Sequence, residues 1–249
     1  EVPLDATLAT AIELMNQYVR CEISEHSGHE ASGDDWHHLH HNPGCVLVTE
    51  QGKLKGILTE RDVVRFTMND THLEQTSVAS VMKSPVFSLT RADVTDLVVT
   101  YNLMRRHRVR HLPIIDTDQK VIGLVTVSSL RRTLNSSYFL RFRLVREVMN
   151  PGVVTVLPTD SVRAVVQRLT SYNISCVVVV EPQNIHSENV ERIGPLVGQS
   201  EQVPVGIITE RDILQFKALN LDLNTVIVAE VMSTPLACVT PEDTLDTMQ

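Results

Sequence analysis

Gly56-Ile57-Leu58-Thr59-Glu60-Arg61-Asp62 and Gly206-Ile207-Ile208-Thr209-Glu210-Arg211-Asp212 are nearly the same heptapeptide, set far apart in one chain of 249 residues. Between them, Gly123-Leu124-Val125-Thr126 keeps the glycine, the two apolar residues and the threonine. A second marker, Met followed by Pro, recurs in Val81-Met82-Lys83-Ser84-Pro85, Val148-Met149-Asn150-Pro151 and Val231-Met232-Ser233-Thr234-Pro235. The three glycines are spaced 67 and then 83 positions apart, and so are the three methionines. Two independent markers stepping by the same amounts mean that the chain is built by duplication.

The second copy shows the order of elements within a unit. Val86-Phe87-Ser88-Leu89 reads as a short strand. Thr90, with Asp93 three residues on, reads as the N-cap of a helix whose apolar face is Val94, Leu97, Val98, Tyr101 and Met104. Leu112 to Ile115 and Val121 to Thr126 read as two strands, joined through Asp116, Asp118 and Gln119, and a helix follows over Ser128 to Leu134. Strand-helix-strand-strand-helix is an α/β unit that needs its helices packed on its sheet. The first copy places its helix at Leu8, Ile12, Met15 and Val19 and its strands at Cys45 to Val48 and Leu54 to Thr59. The third uses Val162, Val165, Val166 and Leu169, then Cys176 to Val180 and Val205 to Thr209. The fourth begins at Val231 and reaches Gln249 inside its first helix, about 35 residues short of a whole copy.

Two segments interrupt the pattern and read as surface loops: Arg20 to Gly44, polar and rich in histidine, and Pro182 to Pro204. Tyr138 to Val148 reads as a connecting helix. The ranges that follow are 1–67 for the first copy, with an insertion over 20–44, and 78–135 for the second. A connector covers 136–147, the third copy 145–219 with an insertion over 182–204, and the fourth copy starts at 228–249.

Composition narrows the function. Hydrophobic residues make up 43% and charged residues 21%, the balance of a globular chain, while aromatics at 4% leave the core to aliphatic side chains. A net charge of -8 argues against a broad grip on nucleic-acid phosphates, although a local basic patch can hold one small polyanion. Cys21, Cys45, Cys176 and Cys238 form no C-x-x-C pair. Cys45 and Cys176 each open an apolar run, which suggests small buried thiols in a reducing compartment. The longest aliphatic run, Cys176 to Val180, is far too short to cross a bilayer, and no signal-peptide pattern is present, so a cytoplasmic location without membrane contact is expected.

Met-x-x-Pro before a short strand, an amphipathic helix, then Gly-apolar-apolar-Thr-x-x-Asp opening a second helix, resembles the CBS (cystathionine-β-synthase-type) domain, repeated. The likeness runs from about Pro3 to the C-terminus, apart from the two insertions. It implies CBS repeats paired into Bateman modules, adenine nucleotides (AMP, ADP or ATP) as regulatory ligands in the clefts between repeats, and no required cofactor. It also implies homodimerisation, and a role in signal transduction through an output domain attached beyond Gln249. On this resemblance Thr59 and Asp62 in one cleft, and Thr209 and Asp212 in another, are the ribose residues. Pro85, Val86, Phe87, Leu112 and Pro113 are the adenine wall of the first, and Pro235, Leu236 and Ala237 that of the second. Arg61, Arg110 and His111 fall at phosphate positions. Chemistry agrees, because a carboxylate accepts two hydrogen bonds and so suits a vicinal diol, and cations suit phosphates. In the second copy Ser129 stands where the acid should be, and that cleft is expected to be weak or empty.

Plainer roles compete for the same residues. Thr-x-x-Asp is a helix-capping signature in its own right, and cap and ribose roles can coexist. Glu60 and Glu210 read as solvated surface, and the basic run from Arg105 to His111 can either meet phosphates or simply complement a helix C-terminus. His26, His29, His37, His38, His40 and His41, with Asp34 and Asp35, permit a metal site, but irregular spacing favours a polar insertion. The recurring methionines favour packing. The leading expectation is therefore a regulatory nucleotide sensor and not an enzyme. The alternatives are a structural dimerisation module with non-binding clefts, or a metal-dependent enzyme using the histidine-rich loop.

Overall fold

The computed structural model describes residues 1–24, 44–94, 96–134, 143–182 and 202–245. It divides into two compact units, Glu1–Phe139 and Leu140–Gln249.

In unit 1 the first copy runs β1 (Val2–Pro3), α1 (Leu8–Ser24), β2 (Cys45–Glu50), β3 (Lys53–Thr59) and α2 (Glu60–Met68). The second runs α3 (Val78–Val81), β4 (Leu89–Thr90), α4 (Leu97–His107), β5 (His111–Ile115), β6 (Val121–Thr126) and α5 (Val127–Leu134). Each copy owns a three-stranded sheet in which its short first strand pairs parallel with the second, and the second antiparallel with the third. The two copies meet through a cluster of Cys45, Leu47 and Ile57 from the first, packed against Val86, Val121 and Leu124 of the second.

Unit 2 repeats the scheme. It holds β7 (Thr155–Val156), α6 (Val162–Tyr172), β8 (Cys176–Pro182), β9 (Gln202–Thr209), α7 (Glu210–Ala218) and α8 (Val228–Val231), with strand order β7-β8-β9. One face of α6 is sealed: Val162, Val165 and Val166 are fully buried, and Leu169 is 2% exposed.

At two of the three glycines the two sequence markers touch. A Cβ on Gly56 would lie 2.1 Å from Met82 Sδ, and one on Gly206 would lie 2.4 Å from Met232 Sδ. Only a hydrogen lets the methionine of the next copy lie across the strand. Gly123 differs, its nearest neighbour being Ile114 Cβ at 3.9 Å.

The residues before each methionine read Val-x-x-Val-Met at Val78, Val145 and Val228, and all three leading valines are buried. Each such segment clasps the start of a helical turn. The first N–H groups of a helix have no partner within it. Here Leu8 N donates to Thr76 O at 2.8 Å, Val162 N to Val226 O at 3.0 Å, and Leu245 N to Arg143 O at 2.9 Å. A return bond runs from Val78 N to Ala6 O at 2.8 Å, from Val228 N to Asp160 O at 2.9 Å, and from Val145 N to Asp243 O at 2.9 Å. At α4 no such clasp occurs among the described residues, and Leu97, its first residue, is 37% exposed.

Several expectations need correction. Thr90 does not cap α4. Its N–H and Oγ1 bond Asp93 Oδ2 at 3.2 and 2.6 Å in a separate turn, and Asp96 caps the helix by accepting from Val98 N and Val99 N. Residues 86–88 form no strand, since β4 is Leu89–Thr90 only. Of the connecting helix expected over 138–148, the part up to 142 lies outside the described residues. The rest is a bridge at Leu144 and a single 3-10 turn, Val145–Glu147. The strands reach into the second insertion, to Pro182 and from Gln202, and α1 continues into the first as far as Ser24. Cys176 and Cys238 are exposed, and only Cys45 keeps the buried position expected of it. Burial, with help from Glu60, pushes the Cys45 thiol up to about 12.

Candidate functional site

β3 ends at Thr59 and α2 begins at Glu60, so the heptapeptide that marks the duplication sits at a strand-to-helix turn. Asp62 folds back on that turn. Its Oδ2 accepts from Thr59 N at 3.0 Å and from Thr59 Oγ1 at 2.6 Å, and its Oδ1 is 2.8 Å from Lys83 Nζ. The carboxylate side chain is 6% exposed, while that of Lys83 is 52% exposed. Lys83 reaches it because its segment crosses β3: Lys83 N donates to Ile57 O at 3.0 Å and Ile57 N to Lys83 O at 3.1 Å.

Beside this pair lies a cleft of about 400 Å³ between the first and second copies. Ile57, Thr59 and Arg61 line it from the first copy, and Lys83, Pro85, Val86, Phe87, Arg108, Val109, Arg110 and His111 from the second. The Phe87 ring is backed by His107, stacked at 3.9 Å between centroids. Arg108, the left-handed C-cap of α4, ends the helix and turns the chain so that Val109 to His111 edge the cleft. Among the described residues, the lining holds four Arg or Lys side chains, one histidine and no carboxylate. The result is an apolar wall facing a cationic rim, which suits a flat ring carrying anionic groups.

The same turn recurs in unit 2. Asp212 Oδ2 accepts from Thr209 N at 2.7 Å and from Thr209 Oγ1 at 2.8 Å, and the segment after Met232 crosses β9 through Ser233 and Ile207. Ser233 thus stands where Lys83 stands in unit 1. Among the described residues, Asp212 bonds only within its own turn. Pro235 and Ala237 are exposed and Leu236 is half-buried. Glu210 is 3% exposed, against the expectation of a solvated surface acid, and its neighbour Cys176 has its thiol raised by partial burial and by Glu210.

Of the residues singled out in the sequence for the first cleft, Thr59, Arg61, Pro85, Val86, Phe87, Arg110 and His111 are brought together around it. Asp62 lies behind Lys83 and is not a lining residue. Leu112 is fully buried in the core of the second copy with Met104, Ile114 and Leu130, and Pro113 is buried beside it in β5. Sequence reasoning missed Ile57, Lys83 and Val109, while Arg108 belongs to the basic run weighed for phosphate contact. Lys83 had a signal: it follows a marker methionine, where the other copies have Asn150 and Ser233. At the position without an acid, Ser129 Oγ donates to Thr126 O at 2.8 Å, a plain helix-start turn. The histidine-rich segment lies outside the described residues.

The CBS domain model matches residues 1–69, 78–136 and 145–186, and the chain belongs to the CBS domain family. Among curated proteins, the CBS domain-containing protein YhcV of Bacillus subtilis is 37% identical over 90 residues, which are 36% of this chain and 62% of that protein. A homoserine O-acetyltransferase of Methanobrevibacter ruminantium is 27% identical over 124 residues, 49% of this chain but 24% of the enzyme. The chain therefore spans under two thirds of the length of either. In fold, it resembles the crystal structure of a Methanocaldococcus jannaschii protein proposed as an archaeal homologue of g-AMPK. The TM-score is 0.69 at 16% identity, covering 99% of this chain and 82% of that one. No helix among the described residues is long and apolar enough to cross a membrane.

Proposed function

We propose that this chain is a regulatory module that binds adenine nucleotides in clefts between paired CBS repeats and passes their occupancy to an attached output domain. The observation that carries this reading is the unit 1 cleft, where Pro85, Val86 and Phe87 face Arg61, Lys83, Arg108 and Arg110 in one space of about 400 Å³. The base packs on the apolar wall, the phosphates meet the basic rim and His111, and the sugar lies toward Thr59. In unit 2, Thr209 and Asp212 border the sugar, and Pro235, Leu236 and Ala237 border the base. The repeats rearrange only to the extent that a ligand binds one arrangement better than another. The match to less than a quarter of an acetyltransferase supports the idea that such repeats are carried as attachments to a larger protein.

Thermal unfolding of the full chain with AMP, ADP and ATP tests the proposal. A nucleotide at a hundred times its Kd adds about 2.7 kcal/mol of stability. Arg110→Ala should remove much of that gain. Absence of any shift with all three nucleotides would leave the repeats as a dimerisation scaffold.

A further inference from the structure

We infer that Lys83 decides what the unit 1 cleft reads, making it a polyphosphate site, while unit 2, with Ser233 in that place, is left to read the sugar. This rests on the nucleotide reading above and adds to it a division of labour between the two clefts.

An acid that grips a ribose diol must offer acceptor positions to two hydroxyls. Of its roughly four acceptor sites Asp62 has one to spare, too few for both hydroxyls. Its Oδ2 is bonded twice by Thr59, its Oδ1 faces the Lys83 ammonium at 2.8 Å, and the side chain is 6% exposed. The second hydroxyl of a diol would have to displace an existing bond to a nearly buried carboxylate, which is unfavourable. Lys83 carries three N–H donors and spends one on Asp62. Its side chain is half exposed and lines the cleft, so the other donors are available to a phosphate, and Asp62 acts as a positioning residue that steadies the ammonium. Arg61, Arg108 and Arg110 share the lining, which holds no acid among the described residues, and this favours the ligand with the most negative charge. In unit 2, Asp212 keeps the Thr209 turn without a cationic partner among the described residues, so its Oδ1 can accept from a sugar hydroxyl.

The test is a reciprocal exchange in the full chain, Lys83→Ser and Ser233→Lys, each titrated calorimetrically with ATP, ADP, AMP and 2′-deoxy-ATP. Lys83 is half exposed, so the exchange should fold, and a melting curve checks this. Losing a hydrogen bond to a charged group should weaken ATP binding to Lys83→Ser about tenfold to a hundredfold, with AMP changing far less. The same variant should begin to prefer ATP over 2′-deoxy-ATP at unit 1, and Ser233→Lys should lose that preference at unit 2. An unchanged ATP-to-AMP ratio in Lys83→Ser, or unchanged deoxy discrimination in both variants, overturns the division of labour and leaves nucleotide binding standing. Failure of every nucleotide to bind the parent chain removes both readings.

Discussion

The third copy seals its first helix and the second copy does not. On α6, Val162, Val165 and Val166 are fully buried, whereas on α4 Leu97, Val98 and Val99 are 37%, 55% and 51% exposed, and only Thr100 and Met104 are buried. Both helices have an N-cap with a side-chain bond, Ser161 and Asp96, and both end in a left-handed residue. The local signals are equal, so they do not explain the difference. What differs is contact with another part of the chain. The start of α6 is clasped by the segment before Met232, and Gly206 is plugged by that methionine, while α4 has no clasp among the described residues and Gly123 has no methionine against it. A copy of this fold is finished by its neighbour more than by its own propensities.

Substitutions can break or sharpen that contrast. The largest effect is expected from Leu169→Ala, which empties a sealed position and should cost about 3 kcal/mol in denaturant unfolding, against less than about 1 kcal/mol for the partly exposed Leu97→Ala. Equal losses would show that α4 is as sealed as α6. Next, Gly206→Ala drives a methyl into Met232, whose Sδ and Cγ lie 2.4 and 2.9 Å from the new Cβ, and should cost about 2 kcal/mol. Gly123→Ala, with 3.9 Å to spare, should stay within about 0.5 kcal/mol of the parent. The smallest effect is chemical and extends the comparison to the first copy. Cys45 and Cys176 hold the same register, opposite Thr59 and Thr209, yet one is buried and the other exposed. Alkylation at neutral pH, followed by peptide mapping, should find Cys238 modified early and Cys45 last, because a thiol at about 12 supplies almost no thiolate. Early loss of Cys45 would mean that the first sheet opens readily.

Much of the architecture was legible from spacing, because the duplicated markers report the order of the copies and, at Gly56–Met82 and Gly206–Met232, a contact between them. The three-stranded sheets, α1, α6 and the turn at Thr59 follow from periodicity and from the Thr-x-x-Asp pattern. The start of α4 was not legible. Two capping sequences, Thr90 to Asp93 and Asp96 to Val99, follow each other closely, and local chemistry satisfies both. The burial of Glu210 and the capture of Asp62 by Lys83 were equally hidden, since each depends on which segment crosses which strand. Leu112 was given to the cleft wall on the family resemblance, but it is fully buried with Met104, Ile114 and Leu130 in the core of the second copy.

The clasping segments also bear on how such repeats could be exchanged or grafted. The family match begins its second and third stretches at residues 78 and 145, so Val78 and Val145 are counted with the copies they introduce. Their backbone bonds lie elsewhere: Val78 is tied to Ala6 in the first copy, and Val145 to Asp243 in the fourth. In unit 2 the exchange is mutual, since Val228 is tied in return to Asp160 of the third copy. A recombination joint placed at the sequence boundary would therefore part each helix from the strap that closes it, and the transplantable block is the interlocked pair.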